Sequence, residues 1–274
     1  MERGELTAPD DSGGSRVRPS SGARLVGAAG RARKRLSRPP RGGEGPVWSR
    51  SMTVLALCGV VLVLLATWLD APAASFAHDS GAAWVKWLAR LTDIGESQWY
   101  LIPAGLIVLV LGLIDWGARG TRHQAWLYVV FGNAAFAFLA VALSGLVTNL
   151  FKMIFGRARP VRFDQNGPFS FDPFTLGYDF ASFPSGHSTT AGAVTAVLMI
   201  WFPRAWPLIL PAGMLVALTR IASRSHYPSD VVAGFLVGFL IAVVLARWLA
   251  VRRLLFRLRP SRMLPVLRRP ARRA

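Results

Sequence analysis

Cysteine is almost missing: Cys58 stands alone among 274 residues. That excludes an intramolecular disulfide and a cysteine-ligated zinc site. Acids are scarce too, with 14 Asp and Glu against 32 Lys and Arg. Charged residues reach only 17%, where soluble domains carry about a quarter. Hydrophobic residues make up 53%. This balance excludes an ordinary soluble globular protein.

The bases that are present sit mostly at the ends. Residues 1–50 hold eleven Lys and Arg against five acids, and residues 247–274 hold ten Arg and no acid. The stretch between them is close to neutral. A net charge of +18 would ordinarily raise nucleic-acid binding. Here the charge flanks an apolar body, the pattern of a membrane protein with cytoplasmic tails, and no nucleic-acid partner is expected. The first fifty residues are rich in Gly, Pro, Ser and Arg and cannot bury enough apolar surface to fold alone. The chain therefore divides into a disordered basic tail (1–50), a membrane domain (51–250) and a second disordered basic tail (251–274).

A spanning helix needs roughly 20 apolar residues. Candidate runs lie at 52–69, 99–116, 126–150, 184–202, 206–221 and 231–249. The expected fold class is all-α: a six-transmembrane bundle with both termini cytoplasmic, in the inner membrane. Between the first two runs, Trp84, Trp87, Leu88 and Leu91 form a helical stripe with Lys86 and Arg90 away from it. That predicts an amphipathic helix, either along the membrane surface or packed over the bundle. The segment 151–183 then falls outside, yet it carries Lys152, Arg157, Arg159 and Arg162. Positive charge on the face that disfavours it calls for an anionic ligand.

Three stretches are polar where the runs are otherwise apolar: Lys152-Met-Ile-Phe-Gly-Arg-Ala-Arg159-Pro160, Pro184-Ser185-Gly186-His187, and Arg220-Ile-Ala-Ser-Arg-Ser-His226-Tyr-Pro-Ser-Asp230. Lys152 and Arg159 are seven apart, so a continuing helix would put both on one face, suited to a phosphate dianion. Ser185 and Gly186 stand at a helix start, where backbone N–H groups favour anions. His226 and Asp230 are one turn apart, so the carboxylate can orient one imidazole nitrogen and leave the other nucleophilic. His187 is a second imidazole, available as a proton donor. Taken singly, each has a plainer reading: snorkelling bases, an ordinary helix start, a local structural pair. A metal site from His187, His226 and Asp230 is disfavoured, because Lys152, Arg159 and Arg220 would repel a dication.

In order, internal spacing and placement at one face, the three stretches resemble the type 2 phosphatidic acid phosphatase (PAP2) superfamily, in its bacterial membrane lipid phosphatase branch. The resemblance covers about residues 50–250. Thr219 stands where the family often has Ser before the Arg of its third motif. The resemblance implies His226 as the nucleophile of a phosphohistidine, Asp230 as its orienting partner and His187 as the acid for the leaving group. It implies Lys152, Arg159, Ser185, Gly186 and Arg220 as the phosphate cradle, with additional contacts from Arg157 and Arg224. No metal and no organic cofactor follow from it. The partner is a membrane lipid phosphate or diphosphate: phosphatidic acid, phosphatidylglycerophosphate, undecaprenyl diphosphate or lipid A. Two alternatives stay open, a phosphotransferase of the same fold and a non-enzymatic membrane anchor whose basic tails bind anions. Oligomeric state is not readable.

Overall fold

The computed structural model describes residue 37 and residues 45–79, 82–116, 119–175, 177–259 and 262–268, without the side chains of residues 78, 79 and 121. The expected tail over 1–50 lies almost wholly outside the described residues. The fold is built of helices: α1 (Arg50–Ala66), α2 (Asp70–Asp79), α3 (Ala83–Arg90), α4 (Gln98–Leu113), α5 (Thr121–Phe155), the short α6 (Phe163–Asn166), α7 (Gly186–Trp201), α8 (Trp206–Ala222) and α9 (Pro228–Val251). Two 3-10 turns, Thr67–Leu69 and Leu91–Gly95, join α1 to α2 and follow α3.

Four stretches are long and apolar enough to cross a membrane: Arg50–Ala77, Ala83–Leu113, Arg122–Phe155 and Pro228–Val251. α8 is apolar but shorter, and α7 has only 16 residues. The six expected runs are all largely helical, and four of them lie within these stretches, the first continuing into α2 and the second preceded by α3. Val54, Leu57, Val60 and Leu64 on α1 and Leu106, Leu109 and Leu113 on α4 are more than half exposed. Apolar rows of that extent on the outside of helices suit hydrocarbon, not water.

α7 and α9 form the centre, flanked by α1, α5 and α8. Small residues let the two central helices touch. Ala193, Ala196, Ala242, Ala246 and Ala250 are fully buried. A Cβ at Gly234 or Gly238 would run into the carbonyls of Ser185 and Thr189. In hydrocarbon, where apolar burial gives no drive, such close backbone approach is what holds helices together.

On α3, Val85 is buried, whereas Trp84 and Trp87 are more than half exposed, so the stripe is not packed over the bundle. One expectation changes. The C-terminal segment is not a disordered tail over its described part. Phe256–Arg257 pairs antiparallel with Val266–Leu267, Phe256 is fully buried, and Met263 and Leu264 pack on the same core. The reason is Arg247 on α9. Its guanidinium is buried and donates to the carbonyls of Pro46, Val47 and Met263 at 2.7–2.9 Å. A buried cation must be hydrogen-bonded, and both chain ends supply the acceptors.

Candidate active site

The opposite end of the bundle collects the polar stretches. α5 stops at Phe155 because Gly156 takes a left-handed conformation (φ 54°). Lys152 thus lies on the helix and Arg159 beyond it. They do not share a helical face as their spacing predicts; the chain reversal brings their charges into each other's field.

α9 begins with Pro228 in its first turn, and Asp230 Oδ2 accepts the Tyr227 N–H at 2.9 Å. The backbone carbonyl of Asp230 accepts the Ser185 N–H at 3.0 Å. The start of α7 is thereby hung from the start of α9, and His187 is carried to the His226 side of the bundle. Ser185 is fully buried, and its Oγ accepts from the Ser188 hydroxyl at 2.9 Å. Its hydroxyl therefore holds the helix start. The N–H groups of Gly186 and His187 are first-turn donors, which an α-helix leaves without intrahelical acceptors. A Cβ on Gly186 would sit 3.8 Å from Lys152 Nζ, so the lysine reaches that helix start.

His226 is 3% exposed. Its Nδ1 is 3.7 Å from Asp230 Oδ2, longer than an ordinary hydrogen bond. Ser182 stands alongside, with Oγ 3.5 Å from Nδ1 and donating to Asp230 Oδ2 at 2.6 Å. Burial pushes the imidazole down, to about 3, and Arg159 and Lys152 push the same way against Asp230. His226 is therefore neutral at physiological pH. With Nδ1 turned to Asp230 and Ser182, Nε2 is the nitrogen left to react.

The other carboxylate oxygen of Asp230 accepts from Arg157 Nη1 at 2.6 Å. Arg157 Nη2 donates to Asp70 Oδ2 at 2.8 Å, and Asp70 also accepts the Ser229 N–H at 3.0 Å and the Ser229 hydroxyl at 2.6 Å. The guanidinium lies 4.4 Å from the Tyr227 ring centroid. Burial alone would lower Arg157, but Asp230 and Asp70 more than reverse that. Arg157 is thus a buried tie between two carboxylates and not a further phosphate contact.

Arg159 donates Nε–H to the Tyr178 carbonyl at 2.9 Å, with the Tyr178 ring centroid 3.9 Å from its guanidinium carbon. Arg220 donates from Nη1 to Thr92 Oγ1 at 2.8 Å, while its Nε is buried without an acceptor. A buried unpartnered N–H on a cation is a place where an oxyanion would bind. Arg224 is exposed, at φ 56° in the turn before His226. Among the described residues, no three His, Cys, Asp or Glu side chains gather as metal ligands. Ser182, Asp70 and Thr92 were not singled out from the sequence. Asp70 directly follows the apolar run 52–69, and nothing in the sequence links it to the three polar stretches.

The chemistry available is narrow. A neutral imidazole, backed by a carboxylate, lies in the field of Lys152 and Arg159, and those two together with Arg220 act on His187 and on one another. Such a cluster suits a compact dianion and puts a nucleophile beside it.

The family model described as "PAP2 superfamily" matches residues 133–254. The lipid A 1-phosphatase of Rhizobium johnstonii is 36% identical over 221 residues, covering 80% of this chain and 88% of that protein. The lipid A 1-phosphatase of Rhizobium etli is 40% identical over 176 residues, 62% of this chain and 74% of that one. Among solved structures, the transmembrane PAP2 type phosphatidylglycerolphosphate phosphatase from Bacillus subtilis aligns with a TM-score of 0.49 at 19% identity, covering 71% and 93% of the two chains. The chain belongs to the PAP2 superfamily. Within it, the chain falls in the bacterial membrane lipid phosphatase branch.

Proposed function

We propose that this chain is a six-span inner-membrane hydrolase that removes the phosphate on the reducing-end sugar of a lipid A type glycolipid. The observation that carries the substrate is the 36% identity to a lipid A 1-phosphatase over most of both chains; it favours lipid A over phosphatidic acid, phosphatidylglycerophosphate and undecaprenyl diphosphate.

Lys152, Arg159, Arg220 and the first-turn N–H groups of α7 hold the phosphate. His226 Nε2 attacks phosphorus while the bond to the sugar oxygen breaks; the bound phosphate dianion offsets the charge of the three cations, so His187 takes up a proton from water as substrate binds and gives it to that oxygen. Water then attacks the phosphohistidine, losing its proton to His187, and phosphate leaves. Asp230 stabilises the imidazolium that forms. Three cations do the work a metal would do elsewhere, so turnover needs none.

A phosphate-release panel in detergent micelles, using the four lipid classes, tests this. Lipid A should lose one phosphate by mass spectrometry, with activity intact in EDTA and inhibited by vanadate, whose five-coordinate form mimics the transition state. Release from the other lipids but not lipid A would overturn the substrate. Phosphate appearing on an added lipid acceptor would make the enzyme a transferase. Loss in EDTA, restored by Mg²⁺ or Zn²⁺, would overturn the mechanism.

A further inference from the structure

The segment ahead of α4 contributes to the site although it lies outside residues 133–254, where the family model matches. The 3-10 turn Leu91–Gly95 packs against the start of α7 and the end of α8. Two of its residues meet two groups of the site. Thr92 Oγ1 accepts from Arg220 Nη1 at 2.8 Å, across 128 residues of sequence. Gly95 is buried and lies directly against His187: a Cβ there would come within 3.2 Å of His187 Cβ and 3.3 Å of its Cδ2. That is tighter than side chains normally tolerate, so the imidazole occupies the space a glycine leaves open. The turn is also charged to suit its place, since Asp93 and Glu96 act electrostatically on Arg220.

We propose that this turn is a wall of the active site, with Thr92 and Gly95 as positioning residues: Thr92 aims the Arg220 guanidinium and Gly95 sets the reach of the His187 imidazole. Neither touches the substrate. Thr92 fixes one arm of a guanidinium whose Nε–H is left free, so the fork presents that N–H to the phosphate. Gly95 acts by absence, because any larger residue moves the imidazole by a few tenths of an ångström. Placement errors of about 1 Å cost about a hundredfold in rate.

The inference rests on His187 as leaving-group acid, and the two residues then have separable signatures. Arg220 reads the phosphate, which all substrates share. Thr92→Val should therefore lower kcat/KM about tenfold, equally for p-nitrophenyl phosphate and lipid A, as loss of a hydrogen bond to a charged group predicts. Thr92→Ser should restore most of it. His187 serves the leaving group, so Gly95→Ala should cost at least about tenfold on the lipid phosphate and little on the activated aryl phosphate. Both variants should still fold, with the unfolding midpoint in detergent lowered by no more than about 4–8 °C. Equal losses on both substrates for Gly95→Ala, or no loss, would overturn its role. A Thr92→Val effect that differs between substrates, or that serine fails to rescue, would overturn the other. His187→Ala is the control on the underlying reading. If it shows no leaving-group dependence, the acid assignment fails; if it does and Gly95→Ala does not, only this inference fails.

Discussion

Arg157 and Arg159 are two residues apart in one basic stretch, and in the sequence both read as ligands for an anion. Packing separates them. Arg157 is locked between Asp70 and Asp230 at 2.8 and 2.6 Å, while the charge of Arg159, with that of Lys152, acts on His226. Arg157→Met should therefore unfold the protein more easily, by about 3–5 kcal/mol, because it strands two buried carboxylates. Lys152→Met should abolish turnover with the unfolding midpoint unchanged; thermal unfolding in detergent beside a phosphate-release assay reads both. His226 adds a pH signature. Its folded value, about 3, lies below an ordinary imidazole at about 6.5. The unfolded chain thus takes up a proton first as pH falls, so this contribution to stability is complete above about 6.5 and is lost towards 3. Moving from pH 8 to pH 5 should cost the wild type about 2 kcal/mol more than His226→Gln, and an equal cost in both would mean that the folded imidazole is charged. The sequence made Lys152, Arg159, Arg220, His187, His226 and Asp230 legible because they share fixed short spacings. Asp70, Ser182 and Thr92 were not, since each reaches its partner across 44 to 159 residues, and a lone Ser or Thr carries no pattern.

Helices α1, α4, α5 and α9 announce themselves as long apolar runs; α5 and α9 reach spanning length alone, and α1 and α4 reach it as parts of the continuous stretches Arg50–Ala77 and Ala83–Leu113. α7 is harder to read because it is both short and dotted with hydroxyls. Thr189 and Thr195 hide those hydroxyls by donating to carbonyls four residues back, at 2.8 and 2.7 Å, and Thr189 also meets Thr148 on α5 at 2.9 Å. A polar sequence thus becomes the most buried helix of the site. The C-terminal segment misleads in the opposite sense. Its arginines read as a solvated tail, yet Leu255 and Phe256 join the core, and Arg247 draws the 262–263 backbone inward. Deleting residues 1–44 together with 269–274 should leave both activity and the unfolding midpoint in place. Ending the chain at residue 259 removes two carbonyl acceptors of a buried guanidinium, and the midpoint should fall by about 4–8 °C. An unchanged midpoint would mean that the β-ribbon adds nothing to the bundle.

At the scale of the whole molecule, the two poles differ in charge and in content. One holds the Pro46–Val47 backbone, the Arg247 clasp and the 199–206 turn beside Met263 and Leu264, with Arg252, Arg253, Arg257, Arg259, Arg262 and Arg268 close by in sequence. The other holds Asp70, the Leu91–Gly95 turn, the 156–183 segment and both histidines of the site. The ends of the chain carry 21 of the 32 bases, and moving either end across a bilayer would carry ten or more of them with it. The Arg pole should therefore be cytoplasmic, and the phosphate site should open beside the outer leaflet, where a large glycolipid headgroup has room. Single cysteines test this in a Cys58→Ala background, Cys58 being exposed on α1. Asn166→Cys, on the exposed α6, should react with a membrane-impermeant maleimide in intact spheroplasts. Gly42→Cys should react only after lysis. The reverse pattern would put the site in the cytoplasm and direct the substrate search to inner-leaflet lipids. Labelling of both in intact cells would mean an even number of crossings between residues 42 and 166, and α4, with 16 residues and Pro103 inside it, is the helix whose crossing would then fail.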